Sequence, residues 1–405
     1  MAGNGQVTAL RAHFAEQVYP DQLGAYSRHK LTALAAESGT PTVIIDQDII
    51  TRQYQQLTRA LPGVAMRYAI KALPQPEVIR HLHELGCGFD LATGGEIKLL
   101  EQLGIGADNA IHTHPIKKDQ EIRQAIAFGC RHFVVDNSHE LDKFVPYKDQ
   151  VAVLLRVNFR NQDAVVDLSR KFGCELTQVP ALVMQAREAG IEIAGLSFHV
   201  GSQVPSSCAH VNAIEQCIDV FNTLPEVNWQ ILDIGGGFPI EYRGPCPLID
   251  DFCAPINTAL EQVSPDIQVL AEPGRYIAGP SAIQLLSVVG KARRGARTWY
   301  YLDDGVYGAL SGQLYDHARY PITPLKQHDL TQGLQPSVLA GPTCDSIDVI
   351  DEDIVLPELE IGDLLVASQV GAYTLASATE FNLYDKPKVL WLSGEKQLHS
   401  EQSAT

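Results

Sequence analysis

From about residue 41 the chain alternates short apolar runs with stretches of helical period. The runs are Ala65–Ile70, Gly88–Ala92, Asn109–Thr113, His132–Asp136, Val151–Val157, Ile193–Val200, Trp229–Ile234 and Ile267–Ala271. Between them, Pro76–Gly86 places Val78, Ile79, Leu82 and Leu85 on one helical face and then stops at glycine. Glu96–Gly104, Gln120–Gly129 and Pro180–Gly190 repeat the plan. Eight strands alternating with helices predict an α/β fold, a (β/α)8 TIM-like barrel over residues 41–277. A doubly wound open sheet gives the same alternation, because periodicity does not encode closure. After residue 278 the runs Thr298–Leu302, Ser337–Ala340, Asp363–Ala367 and Lys388–Leu392 are separated by Gly, Pro and Asp turns. They predict a C-terminal antiparallel β-domain, 278–405, with residues 1–40 packing against it and a frayed polar end from Glu395.

Composition narrows the class without naming it. The 405 residues are 45% hydrophobic and 20% charged, an ordinary globular balance with a net charge of −17. That charge disfavours nucleic acid and anionic membranes as partners and suits a cationic small molecule. Cys87, Cys130, Cys174, Cys208, Cys217, Cys246, Cys253 and Cys344 are scattered with no Cys-x-x-Cys pair, so neither a disulfide framework nor a zinc site is expected. The N-terminus lacks a signal-peptide pattern and no apolar stretch has membrane-spanning length, which predicts a cytoplasmic protein.

The chemistry-bearing residues fall where barrel strands end. Lys71 ends the first run, Asp90 the second, Arg156 lies late in the fifth and His199 ends the sixth. Gly235, Gly236 and Gly237 follow the seventh, and Glu272 and Arg275 follow the eighth. Each has an ordinary reading: Lys71 a solvated strand terminus, Asp90 an acid before a helix cap, His199 a core histidine, the glycines a turn. Their convergence favours chemistry. A desolvated lysine amine is a nucleophile toward an aldehyde, so Lys71 is read as carrying pyridoxal 5'-phosphate as a Schiff base. Glycine backbone N–H groups after strand seven approach an anion closely, and Arg275 adds a charged fork. The pairs His81/His83 and His112/His114 lack further ligands, so no metal is expected. The glycine run lacks dinucleotide spacing.

Tyr68–Ala72, Gly88–Glu96, Leu168–Gly173, Ser197–Gln203, Asp233–Pro239, Glu272–Arg275, Asp303–Gly308, Gly341–Asp348 and Gly371–Thr374 occur in the order found in one family. In these motifs the chain resembles the fold-type III pyridoxal-phosphate decarboxylases of ornithine, lysine and diaminopimelate, which have an alanine-racemase-like two-domain architecture. The resemblance implies that Lys71 binds the cofactor, that His199 stacks on its ring and that Glu272 pairs with its ring nitrogen. A carboxylate there favours a protonated ring, which serves as an electron sink. By the same resemblance Ser202, Gly235, Gly236, Gly237, Gly274, Arg275 and Tyr373 hold the phosphate, and Asp90, Glu96 and Arg156 support cofactor and lysine. Cys344 and Asp345 would come from the partner of a homodimer, Cys344 protonating the α-carbon. Asp345 with Asp303 and Asp304 would bind the distal amine, and Phe381 would border the substrate end.

Cys344 followed by Asp345 resembles the ornithine/lysine branch; an acidic group there suits a far ammonium and repels a far carboxylate. The expected reaction is therefore ornithine to putrescine or lysine to cadaverine. Leu73, Leu383 and the stretch Val204–His210 depart from the family pattern, and Leu73 and Leu383 motivate a rival substrate, an N-acylated ornithine of siderophore assembly. A diaminopimelate decarboxylase and a non-catalytic regulatory homologue are further rivals. Glu272 disfavours a racemase, which would place an arginine opposite the ring nitrogen, and the β-domain disfavours a barrel-only cofactor carrier.

Overall fold

The computed structural model describes residues 28–159, 171–325, 334–393 and 397–400. The chain divides into two compact units. Residues 50–240 and 246–277 form one. The other takes the described residues up to 49, the segment 241–245 and those from 278 onward.

The first unit is a closed barrel of eight parallel strands: Ala65–Ala69, Gly88–Leu91, Ala110–His112, His132–Val135, Ala152–Val157, Glu192–Phe198, Ile231–Asp233 and Gln268–Ala271. Closure, left open by periodicity, comes from Ala65 and Met66 pairing with Leu270 and Ala271. The strands read as near-continuous apolar runs because both faces are covered. Ile111, Val134, Leu154, Ala194, Ile231 and Leu270 form one buried cluster. The helices Asp119–Phe128 and Val179–Ala189 end on Gly129 (φ 101°) and Gly190 (φ 73°), left-handed caps that satisfy the last carbonyls. The helices Cys208–Thr223 and Ile249–Leu260 were not legible in the pattern. The second carries Pro255 inside it, a residue that ordinarily ends a helix.

The second unit is a curled sheet. Strand Thr42–Asp46 pairs antiparallel with the long strand Ala282–Arg294 and parallel with Lys388–Ser393. Two expectations are corrected here. Residues 42–46 belong to this sheet and not to the barrel, so the barrel unit begins at 50 instead of 41. Val43, Ile44 and Ile45 are a short buried run whose pattern fits either kind of sheet. The sheet is also mixed: Thr42–Asp46 runs parallel to Lys388–Ser393 and Arg297–Leu302 parallel to Gln335–Ala340, while the other pairings of this sheet among described residues are antiparallel. Helix Arg28–Ser38 buries Leu31, Leu34 and Ala35 against Ile44, Ile283, Leu285 and Leu390. Residues 1–27 and 401–405, and the Leu168–Arg170 part of one motif, lie outside the described residues. The polar end is not wholly frayed, since Gln397–Ser400 pairs with Leu390–Ser393. Among the described residues no helix is long and apolar enough to cross a membrane.

Candidate active site

Period-two geometry builds the barrel mouth. Side chains two residues apart on a strand share a face. Two residues beyond the interior Ile111, Val134, Leu154, Ile231 and Leu270 come Thr113, Asp136, Arg156, Asp233 and Glu272. Register aligns them: Asp90 pairs with Ile111, Arg156 with Ser197, and Ser197 with Asp233. The last polar layer of the barrel is therefore a ring of carboxylates around one guanidinium.

Lys71 sits in the short 3-10 turn Ile70–Ala72 just past the first strand, not on the strand itself. Ile70, Ala72 and Leu73 are fully buried, whereas the Lys71 side chain is 45% exposed. Burial does not desolvate this amine. Instead its Nζ meets Asp90 Oδ2 at 2.5 Å. Ala69 is in register with Asp90, which puts the carboxylate beside the turn. Asp90 is fully buried at its side chain, and its other oxygen accepts from the Thr113 hydroxyl. Thr113 is thus a positioning residue not singled out from the sequence. Asp90 is no helix cap; Thr93 caps helix Gly94–Gln102, with Glu96 closing a capping box by accepting from Ala92 and Thr93 N–H. Burial raises the Glu96 carboxyl, and Asp90 and Lys71 are among its charged neighbours.

Glu272 is 8% exposed. Burial, then the negative charges of Asp233 and Asp90, push its carboxyl well above the ordinary range. It shares a hydrogen bond with Asp233, so one proton sits between two carboxyls, and it sits on Glu272. Asp233 is held by Ser197 Oγ at 3.3 Å and Gly235 N–H at 3.0 Å. Glu272 Oε1 is buried with no hydrogen-bond partner among the described residues. A buried acceptor left open asks for a partner that the chain does not supply. Arg156 lies within electrostatic reach of Glu272, Asp136, Asp233 and Asp90 and stacks on Phe172 at 5.4 Å.

His199 Nδ1 accepts the Gly201 N–H at 3.1 Å, leaving its proton on Nε2. Burial, Arg156 and Lys71 hold the ring neutral, well below the ordinary histidine range. A Cβ on Gly236 would lie 3.2 Å from His199 Nε2 and 2.7 Å from the Glu272 carbonyl, so only glycine lets this loop close on them. Gly237 stands at φ 99°, in the left-handed region. Arg275, next to Gly274, is 6% exposed, and its Nε and Nη2 both donate to Ser202 Oγ at 3.3 and 3.2 Å. A guanidinium, a hydroxyl and a glycine loop make an anion cradle.

The remaining candidates lie in the other unit. Cys344 is exposed, its N–H donating to Asn382 Oδ1 at 3.0 Å. Asp345 accepts from Tyr307 OH at 2.6 Å and from Ile347 N–H at 3.1 Å. Those bonds hold its carboxylate below the usual range. Tyr307 stacks on Phe381 with centroids 4.4 Å apart. Asp348, also passed over in the sequence, is 2% exposed and takes Val306 N–H, Thr343 N–H and Thr343 Oγ, bracing the Cys344 loop. Tyr373 adopts φ 56°.

Asp303 and Asp304 both carry internal hydrogen bonds. Asp303 accepts from Ser287 N–H at 2.9 Å. Asp304, 7% exposed, accepts from Gln284 Nε2, Gly305 N–H and Ala309 N–H at 2.5, 2.9 and 2.9 Å. His112 is a fully buried core residue stacked on Phe133, held neutral by burial, and no cluster of three or more metal-ligating side chains occurs among the described residues.

Residues 47–279 match the family model described as "Pyridoxal-dependent decarboxylase, pyridoxal binding domain". A lysine/ornithine decarboxylase of Selenomonas ruminantium is 36% identical over 90% of this chain and 93% of its own. An ornithine decarboxylase of Panagrellus redivivus is 33% identical over 91% of this chain and 90% of its own. The crystal structure of a Vibrio vulnificus lysine/ornithine decarboxylase complexed with cadaverine aligns with TM-score 0.86 and 47% identity, covering 90% of this chain and 98% of that one. A proton-bearing carboxyl with an open oxygen, a lysine amine and an anion cradle at one barrel mouth fit the ring nitrogen, aldehyde and phosphate of that family's cofactor, and the chain belongs to the pyridoxal-dependent decarboxylases.

Proposed function

We propose that this enzyme decarboxylates ornithine or lysine to the corresponding diamine, in a homodimer whose active sites are shared. The observation carrying the substrate reading is Asp345: a half-buried carboxylate, oriented by Tyr307 and kept ionised, next to the exposed Cys344 on the same loop. It suits a distal ammonium. Relatives named for lysine and ornithine support the same class. Asp303 and Asp304 already accept internal hydrogen bonds, which favours a structural role for them.

When bound, pyridoxal phosphate supplies an aldehyde for the substrate amine and a ring that accepts the electron pair left by CO2 loss. Asp90 holds the Lys71 Nζ in place, where it would hold the cofactor's aldehyde carbon. Glu272 would pair through its open oxygen with a protonated ring nitrogen, its charge offset by Arg156. His199, neutral, would cover the ring face without adding a charge that competes with Glu272. Ser202, Gly237, Gly274, Arg275 and Tyr373 hold the phosphate. Cys344 of the second copy carries the proton that the α-carbon needs. Its exposure, with that of Phe381, Leu383 and Tyr384, supports a surface covered by another copy.

Leu383, 91% exposed, is the observation that keeps an N-acylated ornithine in play. Acylation removes the ammonium that Asp345 serves, so the free diamino acid is preferred. The test is CO2 and amine release from free and acylated diamino acids. Putrescine or cadaverine is expected as the dominant product; faster turnover of an acylated substrate overturns the reading.

A further inference from the structure

His210 lies in the first turn of helix Cys208–Thr223 and closes the stretch Val204–His210 that departs from the family pattern. Its ring is fully buried, stacked on Phe238 at 5.5 Å and edge-on to Phe252 at 5.7 Å. Nε2 lies 3.0 Å from the Gly236 carbonyl oxygen. A carbonyl only accepts, so Nε2 carries the proton, and Nδ1 is left buried with no partner among the described residues. Burial pushes the ring down to about 4, which keeps this tautomer neutral through the physiological range. A phenylalanine would fill the same aromatic box without stranding a nitrogen. What the imidazole adds is one donor.

That donor completes the glycine loop. The Gly235 carbonyl takes the Glu272 N–H at 2.8 Å and the Gly237 carbonyl takes the Val204 N–H at 3.1 Å. Both are backbone partners; Gly236 alone of the three relies on a side chain. A trans peptide points its N–H away from its C=O. Anchoring the Gly236 carbonyl toward the helix therefore turns the Gly237 N–H the other way. We infer that His210 is a positioning residue for the cofactor phosphate, fixing the Gly236–Gly237 peptide so that its N–H faces the anion. The inference rests on reading the glycine loop, Ser202 and Arg275 as the phosphate cradle.

The test titrates full-length apoenzyme with pyridoxal phosphate and, separately, with pyridoxal, which lacks the phosphate. His210→Phe is expected to weaken pyridoxal phosphate binding about tenfold, the scale of one buried donor lost, and to leave pyridoxal unchanged. Equal weakening of both, or of neither, overturns the inference. Arg275→Ala serves as the control. If it discriminates between the ligands and His210→Phe does not, the cradle stands and His210 only packs; if neither variant discriminates, the cradle reading falls too. Should His210→Phe fail to fold, isotope-labelled histidine in the unmodified apoenzyme provides the second measurement. The His210 Nε2–H resonance is expected to shift when inorganic phosphate is added, and a static resonance contradicts the inference.

Discussion

The acidic residues of the barrel and those of the β-unit look alike in sequence and are used in opposite ways. In the barrel, Asp90, Asp233 and Glu272 sit one layer above the apolar interior, and Glu272 keeps a buried oxygen open. In the β-unit, Asp304 and Asp348 are as deeply buried, but each accepts three hydrogen bonds from within the unit. Asp345 is only half-buried, and its hydrogen bonds keep it ionised. Burial thus does not mark function; an acceptor without an internal partner, or a charge held ready at the surface, does.

The sharpest break of this contrast is Lys71→Ala. Activity is expected to fall at least ~1,000-fold, and borohydride is expected to fix no cofactor to the chain, read by mass spectrometry. Glu272→Gln keeps the shape and removes the ionisable proton. We expect kcat to fall roughly 100-fold with cofactor binding retained, measured by steady-state kinetics and absorbance. Asp345→Asn is expected to raise KM for the diamino acid about 30-fold, the scale of a lost charge-assisted contact.

Asp304→Asn is the paired control. KM is expected to stay near wild type while stability drops by ~1–3 kcal/mol, because a buried acceptor turns partly into a donor. It also has a pH signature. Burial raises the Asp304 carboxyl from 3.8 to about 6 in the folded chain. Between those values the unfolded chain loses the proton first, so this group makes stability fall as pH rises through the window. Urea unfolding is expected to show that slope flattened in Asp304→Asn. The smallest effect belongs to Thr113→Val, which frees Asp90 on one side. About a fivefold loss of kcat with unchanged cofactor affinity is expected from a single hydrogen bond.

Most of the barrel was legible because apolar runs and glycine-stopped helices repeat at a regular spacing. Lys71, Asp90, Arg156, His199, Glu272 and Arg275 were legible because they lie at the ends of those runs. Thr113 and Asp233 carried the same signal, since each stands two residues past an interior apolar residue, but a threonine and a strand-terminating aspartate have frequent ordinary roles. The internal hydrogen bonds of Asp303 and Asp304 were not legible, because Ser287, Gln284 and Ala309 are brought to them only by the fold. The strand Thr42–Asp46 misled because a short apolar run pairs equally well in a barrel or a mixed sheet. His210 was invisible because its donor meets a backbone carbonyl brought near only by the fold.

The central claim is that Lys71 of one copy works with Cys344 of another. Purified Lys71→Ala and Cys344→Ala variants test it directly when mixed under conditions that exchange subunits. Each alone is expected to be nearly inactive, and the mixture is expected to recover roughly a quarter of wild-type activity, the share of sites that pair an intact lysine with an intact thiol in a two-fold dimer. A mixture that exchanges subunits yet stays as inactive as its parts contradicts the account.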